Sequence, residues 1–127
     1  MPAKVWIITG AVLGALAVVA GAFGAHTLQR QFNASDADLK TFEIGARYHM
    51  YHALALVLVG LLALRVKSLC LDLAGACFAG GVLVFAGCLY ARALGGPQAL
   101  GLVVVVGGVA FIAGWLALAV AAVRMNA

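Results

Sequence analysis

Of 127 residues, 66 % are hydrophobic and only 9 % are charged, against roughly 45–50 % and about 25 % in soluble domains. A water-soluble fold of this length could not hide so much apolar surface, so lipid is the expected solvent for much of it. The net charge of +4 comes from single Lys and Arg residues at the ends of apolar runs, which excludes a nucleic-acid-binding stripe and fits membrane anchoring. Residues 1–127 read as a single all-α transmembrane domain.

The first predicted span covers about 5–25, close to the ~20 residues needed to cross ~30 Å of hydrocarbon. Lys4 and Ala20-Gly21-Ala22 imitate a secretory signal peptide, but the apolar run is too long for one, so a retained span is expected. Gly10, Gly14, Gly21 and Gly24 form a small-residue stripe that lets another helix approach closely.

Residues 26–46 are the only extended polar stretch. Ser35-x-x-Asp38 reads as a capping box, and Asp36/Lys40 and Glu43/Arg47 are i,i+4 pairs with the acid N-terminal. An amphipathic helix over about 35–46 is predicted to lie at the membrane interface, with Gly45 the expected kink before the second span at about 47–64. Arg65 and Lys67 close that span. The third covers about 72–91, and the fourth about 99–123 after the turn at Gly95-Gly96-Pro97, ending at Arg124. Gly87 on the third span and Gly107, Gly108 and Gly114 on the fourth are further packing positions. Tyr51, Tyr90, Arg47, Arg65, Lys67 and Arg124 are the expected interface anchors. Four spans put both termini on one side, and Glu43 beside Arg47 tips an even count of basic residues towards cytoplasmic termini.

Candidate chemistry gathers at Arg47-Tyr48-His49-Met50-Tyr51-His52. On a helical wheel Tyr48, His49 and His52 share an arc with Leu56, Val59, Gly60 and Ala63, while Met50, Leu54, Val57, Leu58 and Leu61 take the other side. The histidines should therefore face the bundle and the leucines lipid. Hydrogen bonds to carbonyls or Tyr hydroxyls are the plain reading of these imidazoles. A proton-responsive site is the functional one. His49-x-x-His52 could supply two metal ligands with His26 or Glu43 as a third, but no clustered Cys or carboxylate completes a set, so no metal is expected. Cys70, Cys77 and Cys88 fall on one stripe of the third span and read as packing residues. All four acids lie at span ends, so no deep carboxylate or polar lining suggests a proton-coupled carrier or a water-filled pore. No cofactor motif is visible.

Gly21-Ala22-Phe23-Gly24-Ala25-His26, the segment from Tyr48 to Leu56, Phe85-Ala86-Gly87-Cys88-Leu89-Tyr90 and Gly107 to Trp115 together resemble the bacterial YgdD-like family. These are small four-helix inner-membrane proteins grouped as a domain of unknown function. The resemblance covers nearly the whole chain and picks out Gly21, Gly24, His26, Tyr48, His52, Gly87, Tyr90, Gly107, Gly108, Gly114 and Trp115. The chain departs from the family pattern at His49, where Gln is expected, at Ala86-Gly87-Cys88 in place of Ser-Gly-Ser, and at Val104-Val105 in place of Thr-Pro. The last change removes a helix break.

The expectation is a multi-pass inner-membrane protein without enzymatic activity that binds lipid or a partner helix. Self-association into an oligomer or docking to a larger membrane complex is the partnership its small-residue stripes suggest. The alternative is an oligomeric pH-sensitive channel or small-solute carrier. In either case His26, Tyr48 and His52, with His49 beside them, form the candidate polar cluster.

Overall fold

The computed structural model describes residues 1–125. Four helices, α1 (Ala3–Gln31), α2 (Asp36–Ala63), α3 (Leu69–Ala93) and α4 (Leu100–Arg124), are each long and apolar enough to cross a membrane. At 1.5 Å per residue they measure about 38–44 Å, enough for the ~30 Å hydrocarbon core and part of the headgroup layers. No strand occurs among the described residues.

Local chemistry sets the helix ends. Ser35 caps α2, its hydroxyl accepting from the Asp38 N–H at 3.1 Å, with Asp36 and Asp38 in the first turn. The preceding turn uses Asn33 at φ 48°, and the α3–α4 turn uses Gly95 at φ 94°. Two helices widen into π turns, Phe23–Leu28 in α1 and Val82–Ala86 in α3. Residues 36–46 are helical, as their amphipathic pattern predicts, and they run unbroken into the second span. Gly45 is a point of close approach and not a break. A Cβ there would lie 3.0 Å from the Tyr90 ring and 3.2 Å from Leu89.

The helices pack in chain order: α1 along α2, α2 against α3, and α3 against α4, with a small α1–α3 contact near the chain start. At that contact the Trp6 indole N–H donates to Asp72 at 3.1 Å, satisfying the indole at the membrane edge. The main core joins Trp6, Leu56, Val59, Leu71, Phe78 and Phe111. A smaller one at the opposite end joins Leu28, Phe42 and Ala93.

Glycines govern both principal seams. Along α1–α2, a Cβ on Gly10 would meet the Ala53 carbonyl oxygen at 2.7 Å, and one on Gly60 would meet the Ile7 nitrogen at 2.8 Å. Elsewhere glycines receive aromatic rings from neighbouring helices: Gly24 takes Phe42, Gly75 takes Trp6, Gly81 takes Phe111 and Gly114 takes Phe78. Gly107 admits the Phe85 backbone itself, 2.6 Å from its would-be Cβ. Gly14 and Gly108 have looser neighbours at 3.9 Å. Gly21 and Gly87, expected to pack, have nothing within 4 Å. At Gly21 the two helices have splayed around a cavity of about 360 Å³, and Gly87 faces outward.

Gly10→Ala is expected to lower stability by about 1–3 kcal/mol through overpacking. Gly21→Ala should be neutral or stabilising by up to about 1 kcal/mol, since alanine is the better helix former. Thermal unfolding of the detergent-solubilised protein compares the two. Equal losses would contradict this placement of the seam.

Candidate functional site: a side-opening cleft between α2 and α4

The face of α2 that the helical wheel assigns to the interior is the one that is buried. His49, His52, Leu56, Val59 and Gly60 are buried, while Leu54, Leu58 and Leu61 are exposed. Ala63, Met50 and Val57 are half-buried, and Tyr48, assigned to the inner arc, is exposed on the edge of that face. His52 is 4 % exposed, and each of its ring nitrogens has a partner. Nδ1 lies 2.7 Å from the Tyr48 carbonyl oxygen, and Nε2 lies 3.1 Å from the Trp115 indole nitrogen on α4. A carbonyl can only accept and an indole N–H can only donate, so the pair selects the neutral tautomer with its proton on Nδ1. The ring is stacked face to face on Phe111, with centroids 3.5 Å apart and planes 7° apart. The Tyr48 ring lies nearly parallel to it too, with centroids 6.2 Å apart.

His49 points into a different part of the bundle. Its Nδ1 lies 2.9 Å from the Tyr90 hydroxyl on α3, and its Nε2 is buried with no hydrogen-bond partner among the described residues. Tyr90, expected to anchor the chain at the interface, is half-buried, its ring tilted against Phe42 at 4.6 Å and its hydroxyl beside His49. The expected cluster is therefore two separate sites, His52 with Tyr48 and Trp115, and His49 with Tyr90. His26 belongs to neither, because its side chain is exposed on the π turn of α1. It lies about 160° around the helix from Gly10, on the face opposite the packed stripe of Gly10, Ala17 and Gly24.

Tyr51 is exposed, as an anchor should be, and so are Arg65, Lys67 and Arg124 at the chain-terminal end. Arg47 is exposed and paired with Glu43, Nη2 to Oε2 at 2.6 Å. No group of three or more His, Cys, Asp or Glu comes close enough to hold a metal ion among the described residues.

Beside His52 the bundle opens sideways into a cleft of about 900 Å³. Tyr48, Tyr51 and Leu54 of α2 form one wall, and Val104, Val105, Gly108, Ile112 and Trp115 of α4 the other, with Phe85 and Phe111 also lining it. It exists because α4 leans on α3 through Gly107 and Gly114 and makes no extensive contact with α2. The His52–Trp115 hydrogen bond spans the gap that packing leaves. Trp115, which sequence reasoning treated only as part of a family pattern, is the residue missed. Its signal was that a lone indole N–H in a helix of Ala, Gly, Val and Leu needs an acceptor on another helix.

The family described as "Protein of unknown function (DUF423)" matches residues 20–108. Over 122 residues the chain is 41 % identical to the UPF0382 membrane protein YwdK of Bacillus subtilis, covering 95 % of this chain and 98 % of that protein. It is 40 % identical over 121 residues to the UPF0382 membrane protein SERP0230 of Staphylococcus epidermidis, covering 95 % and 97 %. The UPF0382 membrane protein SAB0533 of Staphylococcus aureus is 40 % identical over 118 residues, covering 93 % and 94 %. No solved structure matches the chain.

Trp115→Phe keeps a ring in place but leaves Nε2 of His52 without its donor, at an expected cost of about 1–3 kcal/mol. Tyr90→Phe should cost less, about 0.5–1.5 kcal/mol. Nitrogen-15 spectra of histidine-labelled protein should show His52 protonated at Nδ1 and bare at Nε2. A ring protonated at Nε2 alone would refute the assigned pairing.

Proposed function

This chain belongs to the DUF423 family of membrane proteins, and we propose that it is a non-enzymatic lipid-binding module whose ligand site is the cleft between α2 and α4. One observation carries the reading: a large apolar cleft opens sideways, where the surrounding medium is hydrocarbon, and its one buried polar side chain is already satisfied. Both ring nitrogens of His52 are engaged within the protein. Its interior thus offers an incoming molecule stacking and dispersion contacts from Phe85, Phe111 and Val105, and its remaining polar groups are the hydroxyls of the exposed Tyr48 and Tyr51 on the α2 wall. A hydrocarbon chain suits such a surface better than a polar solute. The volume of about 900 Å³ lies near the upper end of the ~300–1,000 Å³ typical of ligand pockets.

The likeness to the YgdD-like proteins supports placement in the bacterial inner membrane. The polar end carrying Arg30, Lys40, Arg47 and Arg92 then lies on the side away from the termini.

Gly108→Leu tests the reading. The nearest atoms to a Cβ at Gly108 are 3.9 Å away on Phe85, so a larger side chain is accommodated and occupies the cleft. After detergent exchange, native mass spectrometry should find about one phospholipid retained per wild-type protomer and a several-fold lower occupancy in Gly108→Leu, with thermal stability unchanged. Equal retention by both proteins would sink the proposal.

A further inference from the structure

A cation lies just beyond one end of the cleft. Arg92, in the last turn of α3, reaches across to the first turn of α4, where its Nη1 lies 3.3 Å from the position a Cβ of Gly101 would take. Gly101 stands on the stripe formed with Val105, Gly108 and Ile112, at spacings i, i+4, i+7 and i+11. The last three line the cleft. The guanidinium therefore lies over the same face of α4, about one turn beyond Val105. The absence of a side chain at Gly101 is what makes room for it.

The Arg92 guanidinium makes no hydrogen bond or ion pair with another described residue, unlike that of Arg47 on the same end of the bundle, which is held by Glu43. A guanidinium at a membrane boundary with donors to spare matches the geometry of a phosphate. From Gly101 to Trp115 the stripe runs for about 21 Å at 1.5 Å per residue. The part that lines the cleft, Val104 to Trp115, accounts for about 17 Å of this, about half of the ~30 Å hydrocarbon core and so about the depth of one leaflet.

We propose that the cleft binds an anionic phospholipid, one acyl chain lying along the Val105–Trp115 face of α4 and the phosphate held by Arg92. This rests on the reading that the cleft takes a lipid chain, and it adds the headgroup class and the residue that selects it. A zwitterionic lipid presents the same phosphate but carries its own cation beside it, so the preference is for a net negative headgroup. The preference weakens with salt, because the contact lies at the solvated edge.

Trp115 lines the cleft, and the only other tryptophan, Trp6, packs against Gly75 near the opposite end, so Trp6→Phe leaves a single cleft reporter. In phosphatidylcholine vesicles, phosphatidylglycerol with brominated chains should half-quench Trp115 at about a fivefold lower mole fraction than brominated phosphatidylcholine, a preference of the size one charge-assisted contact supplies. Arg92→Gln should bring the two lipids within twofold, because phosphatidylglycerol loses more from the missing guanidinium than phosphatidylcholine does. Arg47→Gln, which removes an already paired cation on the same end, should keep the fivefold preference. Equal quenching by the two lipids in the otherwise wild-type chain would overturn the proposal. So would a preference that survives Arg92→Gln, or one lost equally in Arg47→Gln. If instead Gly108→Leu leaves quenching by both lipids untouched, the chain-binding reading fails, and the headgroup assignment falls with it.

Discussion

Helices already immersed in hydrocarbon gain nothing from hiding apolar side chains from water, so their association depends on how closely they fit. Here the fit is a notch and a filler. Wherever two helices come close, a glycine on one has made room for the other's backbone or for an aromatic ring, as at Gly10 against Ala53 and Gly114 against Phe78. The candidate site inherits its geometry from these contacts. Gly81 seats Phe111, and Phe111 is the plane on which His52 is stacked. Gly107 draws α4 onto the wide turn at Val82–Ala86, and that turn carries Phe85 into the cleft.

Polar groups in this interior follow an equally strict rule. A buried donor or acceptor costs free energy unless it is paired, and His52 is paired on both sides by groups whose roles cannot be exchanged. That gives the imidazole one tautomer and one orientation, and with the Phe111 stack it ties α2 to α4, which otherwise touch little. His49 is less completely served, with Tyr90 on one nitrogen only. The two histidines, three residues apart, thus do different things: one closes a gap between helices, and the other is lodged in the seam between α2 and α3.

The architecture was legible because its signals are local and periodic. Apolar run length set the four helices, Ser35 set the start of α2, and the wheel sorted its buried histidines from its exposed leucines. What could not be read were contacts between residues far apart in the chain. Nothing near Tyr90 or Trp115 reveals that they meet His49 and His52, which lie 41 and 63 positions away. Gly75 and Gly81 carry no signal of their own, and Gly45 reads as a kink, for a related reason: a notch is visible only once the ring or backbone that fills it is known. His26 is the opposite case. The periodicity that places Gly24 inside puts His26, two residues on, on the far side of the helix, so the sequence already argued against its place in the cluster.

The order in which the helices pack bears on how the protein is made. Each helix finds its principal partner in the one synthesised just before it, so α1 and α2 can dock as a hairpin before α3 has been translated, and α3 can settle on that hairpin before α4 arrives. Contacts between sequence neighbours have short loops to close and form early. The joining of Trp115 to His52 is a late exception, a link across 63 residues that waits for the last helix. Until it forms, the flank of α2 bearing Tyr48, Tyr51 and Leu54 has only Phe85 of α3 and lipid beside it, so any molecule the cleft holds is in place to be enclosed while the chain is still being inserted.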